Sequence, residues 1–453
     1  MTPVDSTSIP AVLNNAIRGS VLSPGSAAYT AEVAGFNVAV SHSPAAVVVA
    51  EDADDVAAAV QVAASAGLTV AVKCTGHGAH ATDEATVMVS TRLMTTLRID
   101  PDSRTATIGA GVLWQQVLDA AAAFGLGAPS GSSTAAGAVG YTLGGGLSPL
   151  GRTIGFAADL VHSFEIVTAD GRISRINEHS DSDLFWALRG SGGGGYGIVT
   201  EMVIALLPIH TVYGGGMFFD VSDARAVLNT WRSWTRTVPE SVSTSVALLH
   251  LPSEPALPMQ LRSRTVLHLR YAYVGSAELG PELLEPMRSS AEPIMDTVTT
   301  MPLTAVASIH MDPVEPLPVI ERGTLLTDMT EQTIEAVLAA IDLPIATVEL
   351  RLMGGALDRP SRSPSSVGGR GAAYCLFLIG VADSSIAADL PGVLDRFLFR
   401  FEEDSAGRAF LNLAGTGSMD LVRAGWSTAE LQRFQSLRNS VDPQGVFMPS
   451  ARW

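Results

Sequence analysis

Two cysteines in 453 residues, Cys74 and Cys375, cannot build a disulfide framework, which excludes a stapled secreted scaffold. Charge is also sparse at 16%, and its basic part sparser still: 28 Lys and Arg against 45 Asp and Glu leave a formal charge of −17. With no basic tract to meet a phosphate backbone, nucleic acid is not an expected partner. The acidity itself says little about a substrate, because solvated Asp and Glu account for it. No apolar run approaches the roughly 18 residues of a membrane span. The opening MTPVDSTSIP lacks the basic and apolar regions of a secretory leader. The expectation is therefore a cytoplasmic protein with no membrane partner.

Apolar residues, by contrast, make up 47% of the chain, ample for a sizeable core and more than one domain. Residues 45–73 read as a β-α-β unit: the apolar strand AAVVVAE, an acid-started helix DADDVAAAVQVAASAG closed by Gly67, and the strand LTVAVK. A strand at VMVS, two strands about the Pro-Asp-Ser turn at 101–103 and an amphipathic helix LWQQVLDAAAAF stopped by Gly125 follow. From Gly125 to Gly155 the chain is too rich in Gly, Ser and Pro for one regular element, yet too long for an idle loop. A hairpin in FEIVTADGRISRI, the helical SDLFWALRG and the strand GIVTEMVIALLP lead to Pro208, the expected end of a domain. Between 209 and 400, strands such as TVLHLRYAYVG, TVELRLMGG and AAYCLFLIGV alternate with helical stretches such as EQTIEAVLAAI. This pattern predicts one antiparallel sheet covered by helices. Residues 354–373, rich in Gly, Ser, Pro and Arg, are expected to form a mobile loop between two strands.

Two motifs compete for attention. GSGGGG satisfies G-x-G-x-x-G at Gly190, Gly192 and Gly195, but a helix precedes it and a strand follows, the reverse of a dinucleotide-binding turn. VKCTGHGAH, Val72 to His80, begins where a strand ends. Its Cys74, His77 and His80 could offer three ligands to zinc, although no fourth stands nearby. Alternatively, the loop 73–79 offers successive backbone N–H groups to a diphosphate, with glycine permitting close approach.

VKCTGHG after a β-α-β unit, then GAVGYTLGGG, then LFWALRGSGGGGYGIVT resembles the berberine-bridge-enzyme-like flavoprotein oxidases of the vanillyl-alcohol-oxidase superfamily. The resemblance covers about 40–207, with a weaker echo at VELRLMGGAL and at LRNSVDPQGVF near the C-terminus, where Val441 and Gly445 stand for the family's Tyr and Asn. It implies an α+β protein: a two-part FAD-binding domain plus a substrate domain with an antiparallel sheet covered by helices. The expected division is 1–207 for FAD, 208–400 for the substrate and 401–453 returning to the FAD part. It also implies FAD linked covalently through His77, with Lys73 and Thr75 in place of the family's usual Arg and Gly. Cofactor contacts carried over in the same loop are Lys73, Cys74, Thr75, Gly76 and Gly78; Cys74 by itself reads as a buried thiol and His80 as a polar loop residue. Ser133 stands where many relatives have a second, cysteinyl attachment, so the link is expected to be single. Ala136 would govern oxygen access, Gly137, Gly140 and Gly144 would let backbone approach the cofactor, and Ile198 and Val199 would line the adenine side. No metal is expected.

The family's reaction moves hydride from a substrate C–H to the flavin and then electrons to O2, releasing peroxide. Many relatives use a phenolic pair in Y-x-N-Y as base, but this chain reads Phe410, Leu411, Asn412, Leu413, and nothing at the tyrosine positions accepts a proton. On TVELRLMGG, alternation puts Glu349, Arg351 and Met353 on one face, which makes Glu349 a candidate base with a raised pKa, or else part of a polar face that is solvated or joined in an ion-pair network. Tyr141 and Arg351 are the other catalytic candidates, with His268, Arg270 and Tyr374 behind them. The resemblance points to a small organic substrate of secondary metabolism. A carbohydrate or lactone oxidase, an amine oxidase, and a flavoprotein whose FAD is mainly structural remain alternatives, in a monomer or homodimer.

Overall fold

The computed structural model describes residues 9–448, apart from 79, 194 and 384–386. Residues 1–8 of the stretch read for a leader, Ala79 of the His77 loop, Gly194 of GSGGGG and residues 449–453 of the last segment lie outside the described residues. Three sheets organise the chain. The first is β1 (Ser20–Leu22), β2 (Ala46–Val49), β3 (Thr69–Lys73) and β4 (Thr86–Ser90), in the order β1-β2-β4-β3. The last three run parallel, and β2 reads as an unbroken apolar run because all four of its residues are buried. The helix Ala53–Ala66 makes the crossover. Asp52 caps its first amides, and Gly67, at φ 71°, returns its N–H to the carbonyls of Ala63 and Ala64.

The second sheet holds β5 (Leu97–Asp100), β6 (Thr105–Gly109), β7 (Val161–Val167), β8 (Ile173–Asn177) and β9 (Ile198–Ala205), antiparallel in the order β5-β6-β9-β7-β8. Val48, Val89, Ile108, Trp114, Phe164 and Ile204 bind the two sheets into one core. The stretch 125–155, expected to be irregular, contains the short helices Ala138–Leu143 and Gly151–Ile154.

The third sheet has eight strands: β10 (Thr211–Asp220), β11 (Val242–His250), β12 (Thr265–Tyr273), β13 (Met295–Asp296), β14 (Thr299–Pro302), β15 (Val319–Leu326), β16 (Thr347–Leu352) and β17 (Tyr374–Val381). Its order is β13-β10-β12-β11-β16-β17-β15, with β14 also on β10, and every pairing is antiparallel. One face, with Val246, Leu267, Leu269, Val348, Leu350 and Leu376, packs on Trp231, Leu284, Ile334 and Leu394 from four helices. The period of two sends their neighbours Ser245, His268, Arg270, Glu349 and Arg351 to the opposite face.

After this sheet the chain returns to the first core. Phe434 and Phe447 are buried in it, Val70 N–H donates to Val446 O, and Met448 N–H donates to Val70 O. The Asp442 carboxylate, 3% exposed, accepts the amides of Val446 and Phe447 and holds this return in place. The loop 354–373, expected to be mobile, is instead tethered. Arg370 pairs with Asp159 at 2.6 Å, Arg189 donates to the carbonyls of Ser363 and Pro364, and Trp426 donates to Ser366 O. Part of its polar composition serves these bonds, while Asp358, Arg359 and Arg362 are exposed. Among the described residues no helix is long and apolar enough to cross a membrane.

Candidate active site

β3 delivers the His77 loop. Lys73 ends the strand buried, its ammonium donating to Ala34 O at 2.9 Å. Gly76, at φ 78°, lies against Gly35 so closely that a Cβ there would stand 2.6 Å from the Gly35 Cα. This backbone contact, with the bond from Phe36 N–H to Thr75 O, sets the Phe36 ring parallel to the His77 imidazole at 4.0 Å. Thr75 Oγ1 bonds His77 Nδ1 at 2.8 Å, which orients the ring and leaves Nε2 buried without a partner. Burial pushes the His77 pKa down to about 4 against an opposing pull from Asp312, so the imidazole is neutral near pH 7. The backbone amides of residues 74–78 donate to no acceptor among the described residues, and neither do those of 131–135. The second run belongs to the loop that carries Ser133 and leads into Ala136 and Gly137.

The two loops touch where a Cβ on Gly137 would come 2.9 Å from the Cys74 sulfur. Nothing in the protein lies within 4 Å of where a Cβ on Gly78 or Gly140 would be, and both residues are exposed. A Cβ on Gly144 would collide with the Asn412 amide, which donates to Tyr141 O at 3.0 Å. Ten buried side-chain N or O atoms lack a partner among the described residues. Six of them are His77 Nε2, Tyr141 OH, His268 Nε2, His310 Nδ1, Arg351 Nε and Asn412 Oδ1. Buried polar atoms are normally satisfied, so this concentration marks a place built for a polar ligand. Electrostatics tie several of them into one neighbourhood: Asp312 acts on His77, His310 and Arg351, and Arg351 acts on Tyr141.

The polar face of the third sheet supplies the other wall. Ser245 stands in register between Arg270 and Arg351, and Ala247 between His268 and Glu349. Glu349 accepts from Arg270 at 2.6 Å, Arg351 at 2.9 Å and Ser245 at 2.8 Å, with His310 Nε2 3.6 Å away. Burial alone would raise its pKa, as expected from the sequence. Arg351 and Arg270, helped by His310 and Ser245, outweigh burial and hold the carboxyl well below the usual range. The raised pKa expected of Glu349 is therefore corrected: a carboxylate paired in this way is a counter-ion and a weak base. His310, 6% exposed, is pushed down to about 3 by burial and by the same two guanidiniums. A cavity of about 30 Å³ lies here, lined by Arg152, Arg270, Arg351, His310 and Ser243–Ser245 among others. A larger one, about 380 Å³, sits on the outer side between β7, β8 and residues 181–184 and 437–441, and includes none of the residues expected at the site.

The sequence-predicted residues divide accordingly. His77, Gly76, Gly137, Gly144, Tyr141, Glu349 and Arg351 fall in the two walls just described. Ile198 and Val199 are buried in the first core, paired with Val167 and Ile166 of β7. Tyr374 points to the helix side, where its hydroxyl meets Thr235 at 2.8 Å, and is no part of the site. Cys74, His77 and His80 do not converge on a metal, since no group of three potential ligands occurs among the described residues. Phe410 fills an apolar cluster with Phe156 and Met353. Sequence reading missed Phe36, Arg152, Ser245 and His310, none of which lies in a motif that announces it.

Residues 44–177 match the family model described as an FAD binding domain. An FAD-linked oxidoreductase of Dictyostelium discoideum is 24% identical over 81% of this chain and 80% of its own length. The chain contains an FAD binding domain and is similar along most of its length to an FAD-linked oxidoreductase. Two of the solved structures similar to it match nearly the whole length of the chain. One is 6-hydroxy-D-nicotine oxidase from Arthrobacter nicotinovorans, with a TM-score of 0.83, 20% identity and 95% and 96% of the two chains covered. The other is BBE-like 1 of Physcomitrella patens, with a TM-score of 0.81, 19% identity and 98% of each chain covered. At such identities the likeness establishes the fold alone, which this chain shares with the nicotine oxidase and with BBE-like 1.

Proposed function

We propose that this oxidoreductase is an oxidase of a small organic molecule of secondary metabolism. It takes hydride from a substrate carbon and passes the electrons to O2 as hydrogen peroxide, with FAD attached through His77. The observation that carries the reading is the neutral, half-buried imidazole of His77, whose buried Nε2 has no partner among the described residues and lies beside two runs of amides unpaired among them. A neutral nitrogen is the form able to bond carbon, and unpaired amides suit a diphosphate. In this reading residues 73–78 and 133–137 hold the cofactor, Gly140 and Gly144 admit its approach, Ile198 and Val199 back its adenine side, and Ala136 governs oxygen access. Bound FAD supplies the hydride acceptor and the reaction with O2.

The chain's own residues position and exclude. Burial raises the Tyr141 pKa, so its phenol stays protonated and offers a hydrogen-bond donor to a substrate oxygen. Glu349 holds Arg270 and Arg351 in place. With Phe410 and Leu413 apolar and Glu349 ion-paired, a substrate whose C–H is already activated fits best. A neutral amine is the second reading, favoured by the missing phenols and by the structural likeness to a nicotine oxidase. The test is the absorbance spectrum of purified protein before and after acid precipitation, followed by anaerobic reduction with candidate substrates and reoxidation in air. A yellow chromophore that stays with the chain, is bleached by substrate and returns with peroxide is expected. A colourless protein that takes up no added FAD overturns the reading.

A further inference from the structure

The chain carries a net charge of −17, yet the small cavity on the polar face of the third sheet is lined by three guanidiniums, those of Arg152, Arg270 and Arg351. Arg152 is satisfied by backbone, donating to the carbonyls of Val242, Met353, Val238 and Pro239. Arg270 and Arg351 share one carboxylate, Glu349, the only acidic group within ion-pair distance of either among the described residues. Within ion-pair distance, two buried guanidiniums therefore face one carboxylate. Asp312 acts on Arg351 from beyond ion-pair distance, and Asp358 and Glu240 act likewise on Arg152. Arg351 Nε and His310 Nδ1, whose residues both line this cavity, have no partner among the described residues.

We propose that the molecule oxidised is an anion, and that Arg351 and Arg270 receive its charged oxygen, a carboxylate or an ionised enol or phenol, in this cavity. The inference rests on the site being the oxidase site argued above. A cationic ligand would face two guanidiniums that share a single contacting carboxylate, whereas an anion supplies a second acceptor and gives Arg351 Nε a partner. At about 30 Å³ the cavity takes an oxygen-sized group and not a whole molecule, so it reads one functional group. His310, neutral in its buried setting, adds a ring nitrogen that donates or accepts according to its tautomer. A protonated amine is thereby disfavoured, and an amine fits only in its neutral form and with an anionic oxygen elsewhere in the molecule.

The experiment titrates the flavin-loaded protein with benzoate and acetate, and with benzamide and acetamide as neutral partners of the same shape, reading thermal midpoint and flavin absorbance. The carboxylates should raise the midpoint saturably, with the amides weaker by roughly tenfold or more, the worth of one charge-assisted bond. Arg351→Met should weaken benzoate by a similar factor, and Arg351→Lys should recover part of it; if the Met variant does not fold, the Lys variant carries the comparison by an intermediate affinity. Amides as tight as carboxylates, no response to either carboxylate, or undiminished benzoate binding in the variants would overturn the proposal. So would an Arg351 variant that keeps carboxylate affinity but changes the flavin reduction potential, since the guanidinium would then serve the cofactor. If the protein takes up no FAD, the oxidase reading fails, while the thermal titration of the flavin-free chain still reports on the anion.

Discussion

Replacing Glu349 by Gln removes one charge and almost no volume, which makes it a clean probe of the buried cluster. Arg270 and Glu349 are 5% and 3% exposed at their side chains and Arg351 12%, so solvent screens little of their interaction. Breaking a buried pair by removing one partner costs about 3–5 kcal/mol, because the charge left behind remains desolvated. Here two guanidiniums lose their only carboxylate, so the upper part of that range applies. A chain of this length unfolds with an entropy equivalent to about 1 kcal/mol per degree, and the midpoint at pH 7 should fall by about 4–5 °C. The pH dependence has a definite sign. The folded pKa of Glu349 is depressed, so its contribution is complete above the unfolded value of about 4.3 and is lost as pH falls towards the folded one. The loss is at most about 1.4 kcal/mol per pH unit. Gln cannot titrate, so the gap between parent and variant should narrow by roughly 2 kcal/mol between pH 5 and pH 3. Thermal melts at pH 7 measure the first and chemical denaturation at several pH values the second. A midpoint within about 1 °C of the parent, or a gap that does not change with pH, would refute the argument.

His77→Ala should abolish covalent flavin while leaving some bound non-covalently, because the amides of 74–78 remain; intact mass and acid precipitation distinguish the two. Since burial pushes His77 down to about 4, the rate of flavin attachment to flavin-free protein should be flat from about pH 5.5 to 8, and a midpoint near an ordinary histidine would contradict the burial. Gly76→Ala should impair cofactor loading more than Gly78→Ala, as the first places a Cβ 2.6 Å from Gly35 at positive φ and the second meets open space; equal loading would refute the close approach. Ala136→Leu should slow reoxidation of reduced flavin in air, measured by stopped-flow absorbance, and an unchanged rate would remove Ala136 from the oxygen path.

The parts of the structure legible in the sequence are those set by local chemistry. Gly67 and Gly125 stop their helices with positive φ, 71° and 68°, and AVVV announces a doubly buried parallel strand. The alternation in TVELRLMGG correctly separated Glu349 and Arg351 from the helix-facing Val348 and Leu350. Which groups Glu349 would meet was illegible, because Arg270 lies 79 residues away and Ser245 104, brought together only by strand order. For the same reason its pKa was expected in the wrong direction: burial is guessable from a strand, but two guanidiniums across the register are not. The loop 354–373 misled through composition, since Arg and Ser serve equally for solvation and for tethering to Asp159 and Trp426.

The pairing of Val70 with residues 446 and 448 has a bearing on how the chain is made. β3 emerges from the ribosome with the His77 loop at its end, but the segment that covers its free edge follows roughly 370 residues later, about 20–75 s at ordinary rates of synthesis. During that interval the first sheet has an open margin and Phe434 and Phe447 are missing from its core. The cofactor half therefore finishes folding only after translation of the sheet that faces it, so the nascent first half is the stage most exposed to aggregation and most dependent on chaperones.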